Sequence, residues 1–138
     1  MFSTGEDKVM NIPAELKYSK NDDWVRVEGT EATAGITDYA QDQLSDVVYV
    51  ELPVAGAVFA KDERYGTVES VKAASDLSLP VSGTITAVNE SLGSAPEMVN
   101  KDPYGAGWMV KFTVTQTAEL DQLMDAAAYQ KYCEERQH

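Results

Sequence analysis

The run Gly66-Thr67-Val68-Glu69-Ser70-Val71-Lys72-Ala73-Ala74-Ser75-Asp76 lies between two β-prone segments, 65–71 and 77–81. One lysine among small residues suits a tight reversal better than a continued strand. The predicted element is a β-hairpin with Lys72 at its tip. A lysine so placed projects from a stiff base with little around it, the position from which an amine can be modified and then carried. Read alone, a turn lysine is a solvated surface residue, and the words on either side decide between the two readings.

Those flanks belong to an internal echo. Pro53-Val54-Ala55-Gly56 is answered 27 residues later by Pro80-Val81-Ser82-Gly83. Each word follows a β run opened by Ser-Asp (Ser45-Asp46 and Ser75-Asp76), and each precedes alternating residues, Ala57-Val58-Phe59-Ala60 and Thr84-Ile85-Thr86-Ala87-Val88. Two β units of this length bury their apolar faces best against one another.

The remaining chain fills in around them. Trp24-Val25-Arg26-Val27 alternates, Glu28-Gly29 turns, and 31–36 resumes with Ala32, Ala34 and Ile36 on one face. Thr37 is the predicted N-cap of a short helix ending at Leu44, with Asp38 favourably placed against the helix dipole. Residues 47–52 form a β run halted by Pro53. Residues 91–100, with Gly93 and Pro96, read as a loop or one helical turn, Asp102-Pro103-Tyr104-Gly105 as a turn, and 108–114 as a last strand. Thr117 is expected to cap a helix, and Asp125 to restart a second one through Glu135. Leu120, Leu123, Met124, Ala127 and Ala128 recur there at helical spacing, as a packing face onto the sheet. Residues 1–11 read as a poorly ordered lead, with Met10 an alternative start that makes the first nine dispensable.

Composition narrows the function. At 138 residues, 43% apolar and 25% charged, the chain suits one soluble domain, taken as 12–138. No apolar run reaches the roughly 20 residues of a membrane span, and the N-terminus lacks a secretory or transit pattern. A cytoplasmic protein is expected, with a mature mitochondrial form as the alternative. The net charge of −12 disfavours nucleic acid and anionic membranes, and would steer an electropositive protein partner toward the chain. The single cysteine, Cys133, excludes an intramolecular disulfide and a thiolate-cluster metal site. The single histidine, His138, is terminal, so no triad-type nucleophile is expected. Carboxylate, lysine or tyrosine chemistry stays open, while the composition leans toward a non-catalytic protein and no metal is expected.

Glu69-Ser70-Val71-Lys72-Ala73-Ala74-Ser75-Asp76, Pro80-Val81-Ser82-Gly83, Val88-Asn89 and Pro103-Tyr104-Gly105 together resemble the H-protein family of the glycine cleavage system. Gly35-Ile36-Thr37-Asp38-Tyr39-Ala40-Gln41, Asp46-Val47-Val48-Tyr49-Val50-Glu51-Leu52-Pro53 and Gly107-Trp108 extend the likeness, which runs from about Ile12 to Glu135. The resemblance implies a mainly β, lipoyl-type barrel-sandwich hybrid: two small antiparallel sheets, a short helix near 37–44 and C-terminal helices near 117–135. It further implies that lipoic acid is attached as an amide to Lys72 by a lipoate ligase or lipoyl transferase. Glycine decarboxylase (P protein), aminomethyltransferase (T protein) and dihydrolipoamide dehydrogenase (L protein) are the implied partners. The arm would take an aminomethyl group from the first, present it to the second for one-carbon transfer to tetrahydrofolate, and be reoxidised by the third.

By the same resemblance Glu69, Ser70, Val71, Ala73 and Asp76 would help the attaching enzyme recognise the hairpin, with Ala73, Ala74 and Ser75 keeping its tip narrow. Gly83 is expected to supply a backbone conformation or close approach that a β-carbon would hinder. Two departures bear on a cleft in which the loaded arm would rest. Asn21-Asp22-Asp23-Trp24 replaces the common His-Glu-Trp, and Tyr39 stands where many members have histidine. Asn21, Asp23 and Tyr39 are the expected cleft residues. A biotin carrier would show Met-Lys-Met rather than Val71-Lys72-Ala73, and a 2-oxo-acid dehydrogenase lipoyl domain usually shows Asp-Lys-Ala. Two further alternatives are a lipoyl relay or scaffold donating lipoate to other enzymes, and an enzyme using Asp22, Asp23 and Tyr39 as an acid–base cluster.

Overall fold

Alternating residues pair into a meander at the start of the chain. The computed structural model describes residues 10–136, so residues 1–9, Gln137 and His138 lie outside the described residues. β1 (Lys17–Tyr18), β2 (Asp23–Glu28) and β3 (Glu31–Ile36) are antiparallel neighbours, and Gly29, at φ +69°, turns the second into the third. Asn11, read as the end of a loose lead, is tied down. Its N–H donates to Asp38 Oδ2 at 2.9 Å and its carbonyl accepts from the Tyr104 hydroxyl at 2.6 Å.

Thr37 caps α1 (Asp38–Leu44) as expected: its hydroxyl accepts the Ala40 N–H at 3.2 Å. β4 (Val47–Glu51), β5 (Val58–Phe59), β6 (Arg64–Ser70), β7 (Ala74–Ser78) and β8 (Gly83–Val88) follow. A 3-10 turn, Glu90–Gly93, and α2 (Met98–Lys101) lead to β9 (Val110–Val114). The chain closes with a second 3-10 turn, Thr117–Gln122, and α3 (Ala126–Glu135).

The strands form two antiparallel sheets, one ordered β1-β2-β3-β9-β8-β5 and the other β4-β6-β7. The internal echo explains this topology. β4 and β7, which precede the two Pro-Val-small-Gly words, flank β6 in the smaller sheet. β5 and β8, which follow them, pair with each other in the larger one, Val58 opposite Thr84 and Phe59 opposite Gly83. Each word is therefore where the chain crosses between sheets. A proline suits that place because it has no N–H to continue a ladder. The glycines serve for different reasons. Gly56 adopts φ +94°, whereas a β-carbon on Gly83 would lie 2.5 Å from Phe112 Cδ2 and 2.6 Å from the Thr113 carbonyl oxygen.

The inner faces enclose a core that includes Val25, Val50, Val68, Leu77, Ile85 and Phe112. A second, aromatic cluster of Leu16, Tyr18, Trp24, Tyr39, Tyr104, Tyr129 and Cys133 covers the other face of β2. Within it the Tyr18 and Tyr129 rings stack, 4.7 Å between centroids. Because both faces of β2 are covered there, Asp23, Trp24 and Val25 are buried in succession and the half-buried alternation fails.

Several boundaries move from their sequence positions. The hairpin reversal is confined to 70–73, so Val71 is a turn residue and Ala74, Ser75 and Asp76 belong to β7. The last strand starts at Val110 instead of Trp108. Thr117 does not cap a helix: it is the first residue of a 3-10 turn that no side chain caps. The apolar stripe is broken after it, because Met124 exchanges backbone hydrogen bonds with Tyr18, both at 2.8 Å. Asp125 does cap α3, accepting the Ala128 N–H at 2.8 Å. Ala127 and Ala128 are exposed, and Tyr129 and Cys133 make the packing face in their place.

Candidate functional site

β6 and β7 pair through Val68 opposite Ser75 and Glu69 opposite Ala74, leaving Ser70-Val71-Lys72-Ala73 to reverse the chain. The commonest two-residue hairpin turns require positive φ and hence glycine or asparagine. Val71 and Lys72 do not adopt it. The Ser70 hydroxyl holds the turn together in another way. It accepts the N–H groups of Lys72 and Ala73 at 3.2 and 3.0 Å, and donates to the Ala73 carbonyl at 3.2 Å. Ser70 N–H also donates to that carbonyl at 2.7 Å, and Val71 N–H donates to the Asp46 carbonyl at 2.9 Å. The tip is thereby fixed to its own base and to the start of β4.

Lys72 is exposed, and its ammonium makes no hydrogen bond or ion pair among the described residues. Its neighbours Val71, Ala73, Ala74 and Ser75 are exposed as well and carry no bulky group to block it. An amine in this setting is open to an acyl donor from solvent, so the site fits covalent attachment of a carboxylic acid. Glu69, the acid on one side, has no partner among the described residues. Asp76, on the other, pairs with Arg64, Oδ1 to Nε at 3.3 Å.

Beside the hairpin a cleft of about 160 Å³ opens between β7 and α1. Asn21, Asp22, Ala40, Gln43, Ser75 and Asp76 are among its lining residues, with Ile36, Val68 and Leu77 among the apolar ones. Of the three expected cleft residues, only Asn21 lines it. Asp23 is 2% exposed and accepts from the Ser19 hydroxyl at 3.0 Å. It shares a β2 face with Val25, which belongs to the core between the sheets. Burial pushes its carboxyl well above the usual range, with the Ser19 hydrogen bond working the other way. Tyr39 is buried in the aromatic cluster beneath the Arg136 guanidinium, 4.5 Å from its ring centroid. Asp22, Asp23 and Tyr39 thus do not converge on one cavity as an acid–base cluster would. Gln43 escaped the sequence reading, and Asp22 entered it as an acid–base candidate, not as a residue lining this cleft. The signal for Gln43 was the shared helix face of Ala40, Gln43 and Leu44.

Asp22 anchors the cleft's far lip. Its backbone sits at φ +66°, its N–H donates to the Ser19 carbonyl at 3.2 Å and its carbonyl accepts from Thr37 N–H at 3.0 Å. Its carboxylate accepts from the Tyr129 hydroxyl at 2.8 Å and from both terminal nitrogens of Arg136. A larger cavity, about 440 Å³, lies beyond Asn21 between Lys20, Lys61 and Gln122, and no hairpin residue lines it. Burial raises the Cys133 thiol pKa, which leaves it protonated and unreactive. Among the described residues no group of three or more His, Cys, Asp or Glu side chains could hold a metal ion, and no helix is long and apolar enough to cross a membrane.

Residues 16–136 match the model of the family described as "Glycine cleavage H-protein". The chain belongs to that family. A glycine cleavage system H protein of Symbiobacterium thermophilum is 54% identical over 125 residues, 91% of this chain and 98% of that one. One from Chromobacterium violaceum is 55% identical over 122 residues, 88% of this chain and 95% of the other. Among solved structures, a glycine cleavage system H protein from Mycobacterium marinum superimposes with a TM-score of 0.81 at 34% identity, covering 88% of this chain and 98% of that one. The glycine cleavage H-protein fold is therefore the frame in which the lysine hairpin and its cleft are to be read.

Proposed function

We propose that this chain is a non-catalytic lipoyl carrier of the glycine cleavage system, with lipoate held as an amide on Lys72. The observation that carries the reading is the unpaired, exposed Lys72 amine on a turn braced by the Ser70 hydroxyl. Attachment joins Nζ to an activated lipoyl carbonyl; the activating group leaves and Nζ gives up a proton. When bound, lipoate would supply a dithiolane able to accept the aminomethyl group of glycine at the decarboxylase (P protein), to release it at the aminomethyltransferase (T protein) and to be reoxidised by dihydrolipoamide dehydrogenase (L protein).

The chain's own residues position and shelter. The stiff hairpin holds the arm's root in place, so tethering raises the effective concentration of the arm's end near each partner. The cleft between β7 and α1 begins three residues after Lys72 and offers an apolar floor of Ile36, Val68 and Leu77 with Asn21, Gln43 and Asp76 at its polar margin. That arrangement suits a resting place for a chain with a polar end. In this reading Asn21, Gln43 and Asp76 would border the arm's resting place, while Asp23 and Tyr39 are buried away from it.

Intact-mass measurement after incubation with a lipoate ligase, lipoate and ATP tests the attachment. One lipoyl increment, absent from Lys72→Arg, is the expected result. Glycine–bicarbonate exchange with a decarboxylase partner then tests the glycine assignment: a lipoylated chain that never supports exchange would mark a relay or scaffold.

A further inference from the structure

We propose that the bulged edge strand β4 forms half of the surface on which the lipoate-attaching enzyme docks, with Tyr49 as its apolar anchor beside Glu69. The proposal rests on Lys72 being the attachment site. Its first support is the register of the smaller sheet. Val47 stands opposite Ser70 and Tyr49 opposite Glu69, so Val48 is an extra residue in β4. A bulge of this kind re-aims side chains. Here it turns two successive apolar residues outward, Val48 at 52% and Tyr49 at 53% exposure. Val71, next to Lys72, is 66% exposed, and its N–H is bonded to the Asp46 carbonyl at the start of the same strand. An uncovered apolar patch thus flanks the lysine.

The charges on this face are unevenly satisfied. Arg64 reaches Glu51 at 3.3 Å, Thr67 at 2.5 Å and Asp76 at 3.3 Å, crossing all three strands and offsetting two carboxylates. Glu69 is one outward position nearer the lysine and directly opposite Tyr49, and has no cation among the described residues. The complementary surface has an apolar socket for the Tyr49 ring and an arginine or lysine beside it. The chain's net charge of −12 draws such a surface in.

Reach selects the occupant. The unmodified lysine has only a four-carbon stem. An enzyme that acylates Nζ must bring its own active site that close to the hairpin backbone, and its surface then lands on the residues either side. Enzymes that act on the far end of a loaded arm need not cover them.

The test follows acylation of the apo chain by a lipoate ligase supplied with lipoate and ATP, read by intact mass at varied carrier concentration. Tyr49→Ser should raise the KM for the carrier about tenfold, as loss of one apolar anchor does, with kcat nearly unchanged. Tyr49→Phe should behave as the parent. Glu69→Lys should raise KM independently and flatten its dependence on salt. Val54→Ser, at a still more exposed valine away from the hairpin, should change nothing, and melting curves should match throughout. Tyr49→Ser and Glu69→Lys acylated with the parent's KM would overturn the docking surface while leaving Lys72 as the carrier residue. A parent chain that gains no lipoyl mass would overturn the carrier reading and the surface with it.

Discussion

Arg136 grips Asp22 with both terminal nitrogens, Nη1 to Oδ2 at 3.1 Å and Nη2 to Oδ1 at 2.5 Å, across 114 residues of sequence. Its guanidinium lies over the rings of Tyr132 and Tyr39, 3.9 and 4.5 Å from their centroids. Burial works against its charge, and the Asp22 carboxylate, together with Cys133 and Tyr132, more than offsets that cost. The end of α3 is thereby joined to the lip of the cleft. Arg136→Ala should lower stability by about 1–2 kcal/mol, the scale of a partly buried charge-assisted hydrogen bond. Amide exchange should quicken in α3 and around Asp22 together. Faster exchange confined to α3 would show that the ion pair does not steady the cleft.

Lys72→Arg should leave stability within about 0.5 kcal/mol, because nothing in the fold depends on the side chain. The same variant should take up no lipoyl group in the mass assay. A large drop in the urea midpoint would make Lys72 structural and remove the carrier reading.

Ser70→Ala should loosen the lysine turn without unfolding the sheets. The hydroxyl serves two N–H groups and one carbonyl, so its loss should cost about 1 kcal/mol. The Ala73 amide should lose its protection from hydrogen exchange. Unchanged protection would mean the turn is held by backbone contacts alone.

Asp23 should make stability depend on pH in an unusual direction. Its folded pKa lies above the unfolded value because burial favours the neutral carboxyl. The stabilisation tied to the protonated form is complete below about pH 4, the ordinary aspartate range, and is lost as pH rises through the folded pKa. Asp23→Asn stays neutral and can still accept from Ser19. It should therefore gain stability over the parent as pH rises above that range, and lose the advantage on acidification. A difference between the two proteins that stays flat with pH would contradict this.

Gly83→Ala should destabilise by about 1–3 kcal/mol, the usual cost of overpacking. The added methyl group meets the Phe112 ring and a backbone carbonyl together, and the carbonyl belongs to the paired strand β9. A thermal melt matching the parent would show that the β8–β9 pair yields more easily than this packing implies.

What sequence reasoning recovered, it recovered from short-range chemistry. Thr37 and Asp125 cap helices because a side-chain oxygen reaches an N–H three residues on. Gly29 turns a hairpin because it tolerates positive φ, and the two Pro-Val-small-Gly words interrupt ladders because proline lacks a donor. The hairpin that presents Lys72 was legible for the same reason, each of its signals lying within a few residues of the next. The failures have another origin. Thr117 looks like a cap, yet Met124 is held by β1 and the helical stripe cannot continue. Asp23 looks like a cleft carboxylate, yet the strand that carries it is covered on both faces.

The amino-acid order by itself therefore determined the lysine turn, the strand patterning and the repeated unit that makes two sheets, since alternation, turn residues and caps act between close neighbours. Only the tertiary structure decided that β5 pairs with β8, that Gln43 and Asp76 face Asn21 across a cleft, and that Arg136 reaches back to Asp22. Those outcomes depend on which face each element buries and on what arrives from far along the chain to cover it, and no local pattern carries that information.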